Sequence, residues 1–389
     1  MKITAALILA SGLLFSCNSI DSNRLDDLAE AYMTENHVPG MVCAVVKNGD
    51  ISWGKSYGKA NLEKSVAMSR EGYMNVASVT KTITATAIMQ LWEQGEIDLD
   101  QDINHYLAVD IKSPYFPDVP ITVKLLLTHT SSLVDGSAYY ESYACGDPEI
   151  SLQEWIVNYL LQGGRFFNED ENFLPVKPGE QYQYSNIGFG LLGYIVESVS
   201  GLSFSEYCSL NIFDPLEMTG SSFYLQDMDL SNHILPYVYI SKESRDEIVN
   251  NYATFLSEDA DFSPGKNKAL CLYSFPNIPD GLLRTSVEEL SHFLSAYMNG
   301  GQYNGSSILK QSTIDKMLSL QLEGDGSQGL CWHRSEFESL WGHGGNDPGL
   351  RTSMFFSRDT KIGIIIFQNS DQGNPFELLE KIYRLEKQN

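Results

Sequence analysis

Apolar runs near both ends of this 389-residue chain constrain its fold more than any other feature. Met41–Val46 and Ile51–Tyr57 are rich in β-forming residues and flank Asn48-Gly49-Asp50, the residue chemistry of a tight hairpin turn. Arg351–Phe356 and Ile362–Gln368 flank Ser357-Arg358-Asp359-Thr360-Lys361 in the same way. Strands joined by hairpins run antiparallel. Between these ends the apolar spacing is mostly helical, over Ser78–Glu93, Leu152–Leu161, Ile187–Val199 and Val287–Met298. Helical patterns also cover Asn23–Glu35 and the stretch from Pro375 to about Lys387. The prediction is a mixed α/β (α+β) fold. One antiparallel sheet is formed by both chain ends, helices flank it, and a helical lobe is inserted over roughly residues 101–280. No repeat, low-complexity block or Pro/Ser linker interrupts residues 24–389, which read as one domain.

The net charge of −24 argues against a nucleic-acid partner, because phosphate binding needs clustered Lys and Arg. It argues equally against electrostatic adhesion to anionic lipid. At the N-terminus, Met1-Lys2 precedes an apolar run, Ile3–Phe15, and then Ser16-Cys17. That is the pattern of a secretory signal over residues 1–16, too short to span a membrane. Leu14-Phe15-Ser16-Cys17 resembles a bacterial lipobox, although Phe15 stands where a small or β-branched residue is usual. Cys17 is then the expected lipidated first residue of the mature chain; ordinary cleavage nearby, with a free product, is the alternative. The expected location is the bacterial cell envelope, in the periplasm or on a membrane, with membrane contact only through that anchor.

Cys43, Cys145, Cys208, Cys271 and Cys331 are odd in number, widely spaced and without a C-x-x-C pair. They read as buried single thiols, neither a disulfide framework nor a zinc site. The histidines show no metal-ligand spacing, so no metal and no cofactor are expected. Nor is there a G-x-S-x-G elbow, since Asp325-Gly326-Ser327-Gln328-Gly329 fails at its first position.

Ser-x-x-Lys occurs five times, at Ser52/Lys55, Ser56/Lys59, Ser78/Lys81, Ser263/Lys266 and Ser307/Lys310. The spacing brings both side chains to one face only in a helix. Ser52 and Ser56 fall in or beside the first hairpin, Ser263 precedes the turn Pro264-Gly265, and no long apolar helix follows Ser307. Ser78 alone opens a long apolar helix, which ends near Gly95. Helix N-terminal amides favour developing negative charge there. Desolvation inside the helix would favour the neutral, basic form of Lys81.

Several landmarks follow in order: Asn75-Val76-Ala77-Ser78-Val79-Thr80-Lys81, Gly95-Glu96-Ile97-Asp98-Leu99-Asp100 and Ile121-Thr122-Val123-Lys124-Leu125-Leu126-Leu127-Thr128-His129-Thr130-Ser131-Ser132-Leu133. After them come Pro178-Gly179-Glu180 with Tyr184-Ser185-Asn186, then Gly281-Leu282-Leu283-Arg284-Thr285-Ser286, and last Gly342-His343-Gly344-Gly345. Together they resemble the serine β-lactamase-related family over nearly the whole mature chain. That family includes class C β-lactamases, D-Ala-D-Ala carboxypeptidases, D-aminopeptidases and some esterases. The resemblance implies a β-lactamase/transpeptidase-like fold, Ser78 as nucleophile, and Tyr184 relaying protons with Lys81. A phenol can do so if a cationic neighbour pulls its pKa below about 10. Asn186 would hydrogen-bond the substrate amide. Tyr297/Asn299 repeats the Tyr-x-Asn spacing but ends a helix and lacks the Pro-Gly-Glu turn. His343-Gly344-Gly345 would line the site, with the backbone N–H of Asn346 pairing that of Ser78 as an oxyanion hole. A histidine where many β-lactamases have lysine would hold a substrate carboxylate only when protonated. His129 reads as a structural family marker.

The expected activity is acyl transfer through an ester on Ser78, on D-amino-acid peptides or peptidoglycan-derived fragments. An esterase or weak β-lactamase using the same residues is the near alternative. A non-catalytic penicillin- or peptidoglycan-binding protein is the alternative of a different class.

Overall fold

The computed structural model describes residues 22–246, 255, 262–322, 324 and 326–388. The signal and Cys17 readings lie outside the described residues. Helix α1 (Ser22–Glu35) leads into β1 (Gly40–Lys47) and β2 (Asp50–Asn61), which pair antiparallel around Asn48-Gly49. Strand β3 (Val66–Ala67) adds to the β2 edge. From the far end of the chain come β4 (His333–Arg334), β5 (Trp341–Asp347), β6 (Leu350–Phe356) and β7 (Ile362–Gln368). The sheet order β4-β5-β6-β7-β1-β2-β3 is closed by antiparallel pairing of β7 with β1, from Met41↔Gln368 to Lys47↔Ile362. The two chain ends therefore complete one sheet.

Strand alternation explains how that sheet is buried on both faces. Val42, Ala44, Val46, Ile365 and Phe367 point into the larger core, against α4 (Val287–Met298), and α2 (Thr80–Gln94) belongs to the same core. Met41, Cys43, Val45, Ile364 and Ile366 point the other way, under α1 and the C-terminal helix α5 (Pro375–Lys387). Residues between α2 and α4 build mostly helices, the longest being α3 (Asn186–Ser200), with a few two- to four-residue strands. Helix α3 is buried from Ile187 to Val196 and packs against α2, so the site forms where helical lobe, α2 and sheet edge meet. Among the described residues no single helix is long and apolar enough to cross a membrane.

One expectation is corrected. Cys145 and Cys271 form a disulfide that joins Ala144–Cys145 to Tyr273–Ser274. Among the described residues, Cys43, Cys208 and Cys331 are the buried free thiols. The partners lie 126 positions apart, and nothing in their spacing brings them together.

Candidate active site

The Ser-x-x-Lys ambiguity is resolved by local geometry. Ser52 and Ser56 lie in β2 and Ser307 in a two-residue strand, whereas Ser78 sits in a 3₁₀ turn, Ala77–Val79, that runs directly into α2. That turn is strained: Ala77 adopts φ +47°, a left-handed conformation its Cβ disfavours by about 1–2 kcal/mol. Two contacts hold it. Asn75 Oδ1 accepts the Ala77 N–H at 2.8 Å, and Thr352 Oγ1 donates to the Val76 carbonyl at 2.8 Å. Gly345 lets β5 come close, since a Cβ there would stand 2.4 Å from Val76 O. The side chain of half-buried Ser78 is thus aimed by neighbours that also shape the cleft.

Lys81, fully buried, donates through Nζ to Ser78 Oγ (3.1 Å), Asn186 Oδ1 (2.7 Å) and the Asp280 carbonyl (2.8 Å). Its Nζ lies 3.4 Å from Asp280 Oδ2, a buried ion pair. Tyr184 Oη donates to the same Ser78 Oγ at 2.9 Å. Asp280, in the short helix Ile278–Gly281, also accepts from Tyr139 Oη (2.9 Å) and Asn277 Nδ2 (2.8 Å). Asp135 caps α3, accepting the N–H groups of Asn186 and Ile187 at 2.9–3.0 Å. This fixes the residue that clasps Lys81.

Two electrostatic expectations are corrected. Burial does pull Lys81 downward, but Tyr184 and Asp280 outweigh it and hold the ammonium above its ordinary range. Burial likewise pushes the Tyr184 phenol up, and Lys81 only partly offsets that. Asp280 is raised by burial to about 6 despite its cation. At neutral pH the free site therefore holds an ammonium–carboxylate pair beside a neutral phenol.

His343 could hold a carboxylate only when protonated, and its surroundings decide against the proton. It is buried in β5 with Nδ1 2.6 Å from the Gly344 carbonyl, and burial pushes it well below the usual imidazole range. It stays neutral and offers no charge to a carboxylate at ordinary pH. His129 accepts the Ser185 N–H at 3.2 Å and stacks on Tyr184 at 4.3 Å, supporting the Tyr184–Asn186 segment. Tyr297 of the Tyr-x-Asn decoy is buried, its hydroxyl 2.7 Å from Thr86 Oγ1.

Ser78, Tyr184, Asn186 and the stretch His343–Asn346 line one cleft of about 600 Å³, with Lys81 beneath its floor. The structure thus gathers every residue of the expected set. Gly344 faces open space, where a Cβ would meet only Thr352 O at 3.8 Å. Sequence reasoning missed Asn75, Asp135, Asp280 and Asp347, each at or beside a motif. Asp280 immediately precedes Gly281-Leu282-Leu283-Arg284, and Asp347 immediately follows His343-Gly344-Gly345-Asn346. Among the described residues no cluster of His, Cys, Asp and Glu is arranged to hold a metal.

A buried lysine and a tyrosine converging on a serine at a helix start, beside the edge of a terminal-strand sheet, define a penicillin-binding or β-lactamase type of architecture. The sequence pattern of the Beta-lactamase family matches residues 25–389, and the chain belongs to that family. It is 24% identical over 359 residues to Protein flp of Staphylococcus aureus (strain MRSA252), covering 92% of this chain. It spans only 65% of that relative's length. The octameric penicillin-binding protein homologue from Pyrococcus abyssi superposes with a TM-score of 0.76 at 27% identity, over 95% of this chain and 78% of that one. The D-amino acid amidase from Ochrobactrum anthropi SV3 gives 0.73 at 22% identity, over 94% and 99%. The mixed α/β fold with its large antiparallel sheet is that of this family.

Proposed function

We propose that this protein is a serine hydrolase that is acylated on Ser78 and acts on amide or peptide bonds of D-amino-acid compounds such as cell-wall fragments. The observation that carries the reading is the convergence of Lys81 Nζ and Tyr184 Oη on Ser78 Oγ, at 3.1 and 2.9 Å. In the first half-reaction Ser78 Oγ bonds to the carbonyl carbon, and its proton passes to the Lys81–Tyr184 pair. The C–N bond then breaks and the amine leaves with that proton. In the second, water adds to the ester, its proton takes the same route, and the Oγ–C bond breaks to release the acid and restore Ser78. The backbone N–H groups of Ser78 and Asn346 are the proposed oxyanion donors. The pair can accept that proton only in molecules where the Lys81 ammonium has first given up its own to solvent. A neutral His343 favours substrates without a carboxylate beside the scissile bond, so an esterase is the second reading. The disulfide supports export to an oxidising compartment.

Incubation with a fluorophosphonate and a fluorescent penicillin, followed by intact mass, is expected to give an adduct that Ser78→Ala abolishes. Turnover of a D-Ala-D-Ala peptide against a short-chain nitrophenyl ester separates peptidase from esterase. Absence of any adduct on the wild-type protein would leave a non-catalytic binder.

The pH profile has a defined sign. The base form requires the Lys81–Tyr184 pair to lose a proton, and both groups are held above their ordinary values. Hence kcat/KM for an uncharged ester should climb about tenfold per pH unit through neutrality, up to the pair's apparent pKa. A flat profile from about pH 6 to 9 contradicts the pair's role as base.

A further inference from the structure

The cleft continues past Ser78. Asn186, Asn346 and Arg351 also wall a second recess of about 720 Å³, whose remaining lining includes Tyr139, Tyr140, Tyr143, Asp347 and Asp371. Asp347, the last residue of β5, accepts from Tyr143 Oη at 3.1 Å and from Asn75 Nδ2 at 3.3 Å. Among the described residues no lysine, arginine or histidine forms an ion pair with it. The nearby arginines are spent elsewhere. Arg351 donates to Asn346 Oδ1 and the Gly373 carbonyl, and Arg284 to the Phe223 and Tyr273 carbonyls and Ser274 Oγ.

Asp135, Asp280 and Asp347 all draw on the single ammonium of Lys81. Asp280 is buried and the other two are half-buried, so these carboxylates crowd round one ammonium, with the field of the buried Arg284 reaching Asp347 as well, and a cationic ligand would relieve that crowding. Burial, with the field of Asp280, raises Asp347 to about 7, so the Tyr143 and Tyr273 hydroxyls and the more distant Lys81 only partly offset the cost of its charge. Asp371, also raised by burial, accepts from the Gln372 amide at 2.8 Å and feels the Arg351 guanidinium, which only partly offsets that burial. Carboxylates beside tyrosine faces in a cleft are the chemistry that recognises an organic cation. A purely structural role for Asp347 would need only a neutral acceptor for Tyr143 and Asn75.

We propose that Asp347, with Tyr143 and Asp371, forms a subsite for a primary ammonium group of the substrate, adjoining the Ser78 cleft. The ammonium is the free α-amine of the acyl residue or a side-chain amine; the test separates the two. The proposal rests on the hydrolase reading and names its substrate class.

Four p-nitroanilides test it: D-alanine, N-acetyl-D-alanine, Nα-acetyl-D-lysine and Nα-acetyl-D-norleucine. The wild-type protein is expected to prefer the cation over its neutral counterpart in at least one pair by about 10- to 100-fold in kcat/KM, the worth of one charge-assisted hydrogen bond. The alanine pair reports the α-amine and the lysine–norleucine pair the side chain. Asp347→Asn should collapse that ratio, and Asp371→Asn should reduce it. Reading a ratio within each variant removes differences in overall activity, and labelling of Ser78 by a neutral fluorophosphonate reports folding. Should Asp347→Asn not fold, Asp371→Asn and Tyr143→Phe carry the test. Measurable turnover with a wild-type ratio near one in both pairs, or a ratio unmoved by the variants, overturns the subsite. If Ser78 takes no fluorophosphonate, the hydrolase reading fails separately. Calorimetric binding of D-alaninamide against N-acetyl-D-alaninamide then decides the subsite alone, equal affinities overturning it.

Discussion

Lys81→Met should lower kcat/KM for every substrate by about 10²- to 10⁴-fold, the range a positioned base supplies, and should destabilise the fold as well. The second effect follows from Asp280. Its carboxylate lies 3.4 Å from Lys81 Nζ in a fully buried setting, and removing one partner of such a pair typically costs about 3–5 kcal/mol. Part of that is relieved because Asp280, already raised to about 6, takes up a proton when its cation is gone. The double variant Lys81→Met/Asp280→Asn removes both charges. It should recover most of the lost stability and none of the lost turnover. Denaturant midpoints and kcat/KM for the four members of this cycle separate the roles. Recovery of activity in the double variant would mean that Lys81 serves only to neutralise Asp280. Unchanged stability in the single variant would mean that the ion pair contributes nothing.

The frame of this fold was legible because it is written in local patterns. Alternation in Met41–Val46 and the Ile-rich run Ile362–Gln368 read as strands wherever their partners lie, and the helices Val287–Met298 and Pro375–Lys387 follow from apolar spacing. Ser78 and Lys81 were separable from four decoys because only their pair lies at the start of a long helix. What stayed hidden depends on distance through space. Asp280 is 199 positions from Lys81, and only the folded chain shows that it tips the lysine toward its charged form. The sign of a buried group's shift is a contest between desolvation and partners. Sequence context announced the desolvation of Lys81 but not its partners, and for Tyr184 the cationic neighbour but not the burial that outweighs it. For His343 the reverse held: its place in a cleft motif suggested a titrating side chain, and burial of the ring removed that option.

The disulfide is the clearest case of information absent from spacing, and its removal should have the largest effect on stability of any change away from Ser78. Cys145 and Cys271 close a loop with a sequence separation of 126, for which the chain-entropy account gives about 4–5 kcal/mol. The cross-link also touches the cleft. Tyr143, two residues before Cys145, packs its ring at a tilt against Phe275 with centroids 4.3 Å apart and donates to Asp347. Tyr273, two residues after Cys271, donates to the Pro348 carbonyl at 2.9 Å, while Arg284 holds its own carbonyl at 2.7 Å. Cys145→Ser/Cys271→Ser should therefore lower the denaturant midpoint. It should also raise KM more than it lowers kcat, because it loosens the outer wall while Ser78, Lys81 and Tyr184 sit on other elements. Reductant should reproduce both effects on the wild-type protein and do nothing to the double variant. Thiol titration showing full reduction with an unmoved midpoint would show that the short ladders and the Arg284 contacts hold this wall without the covalent link.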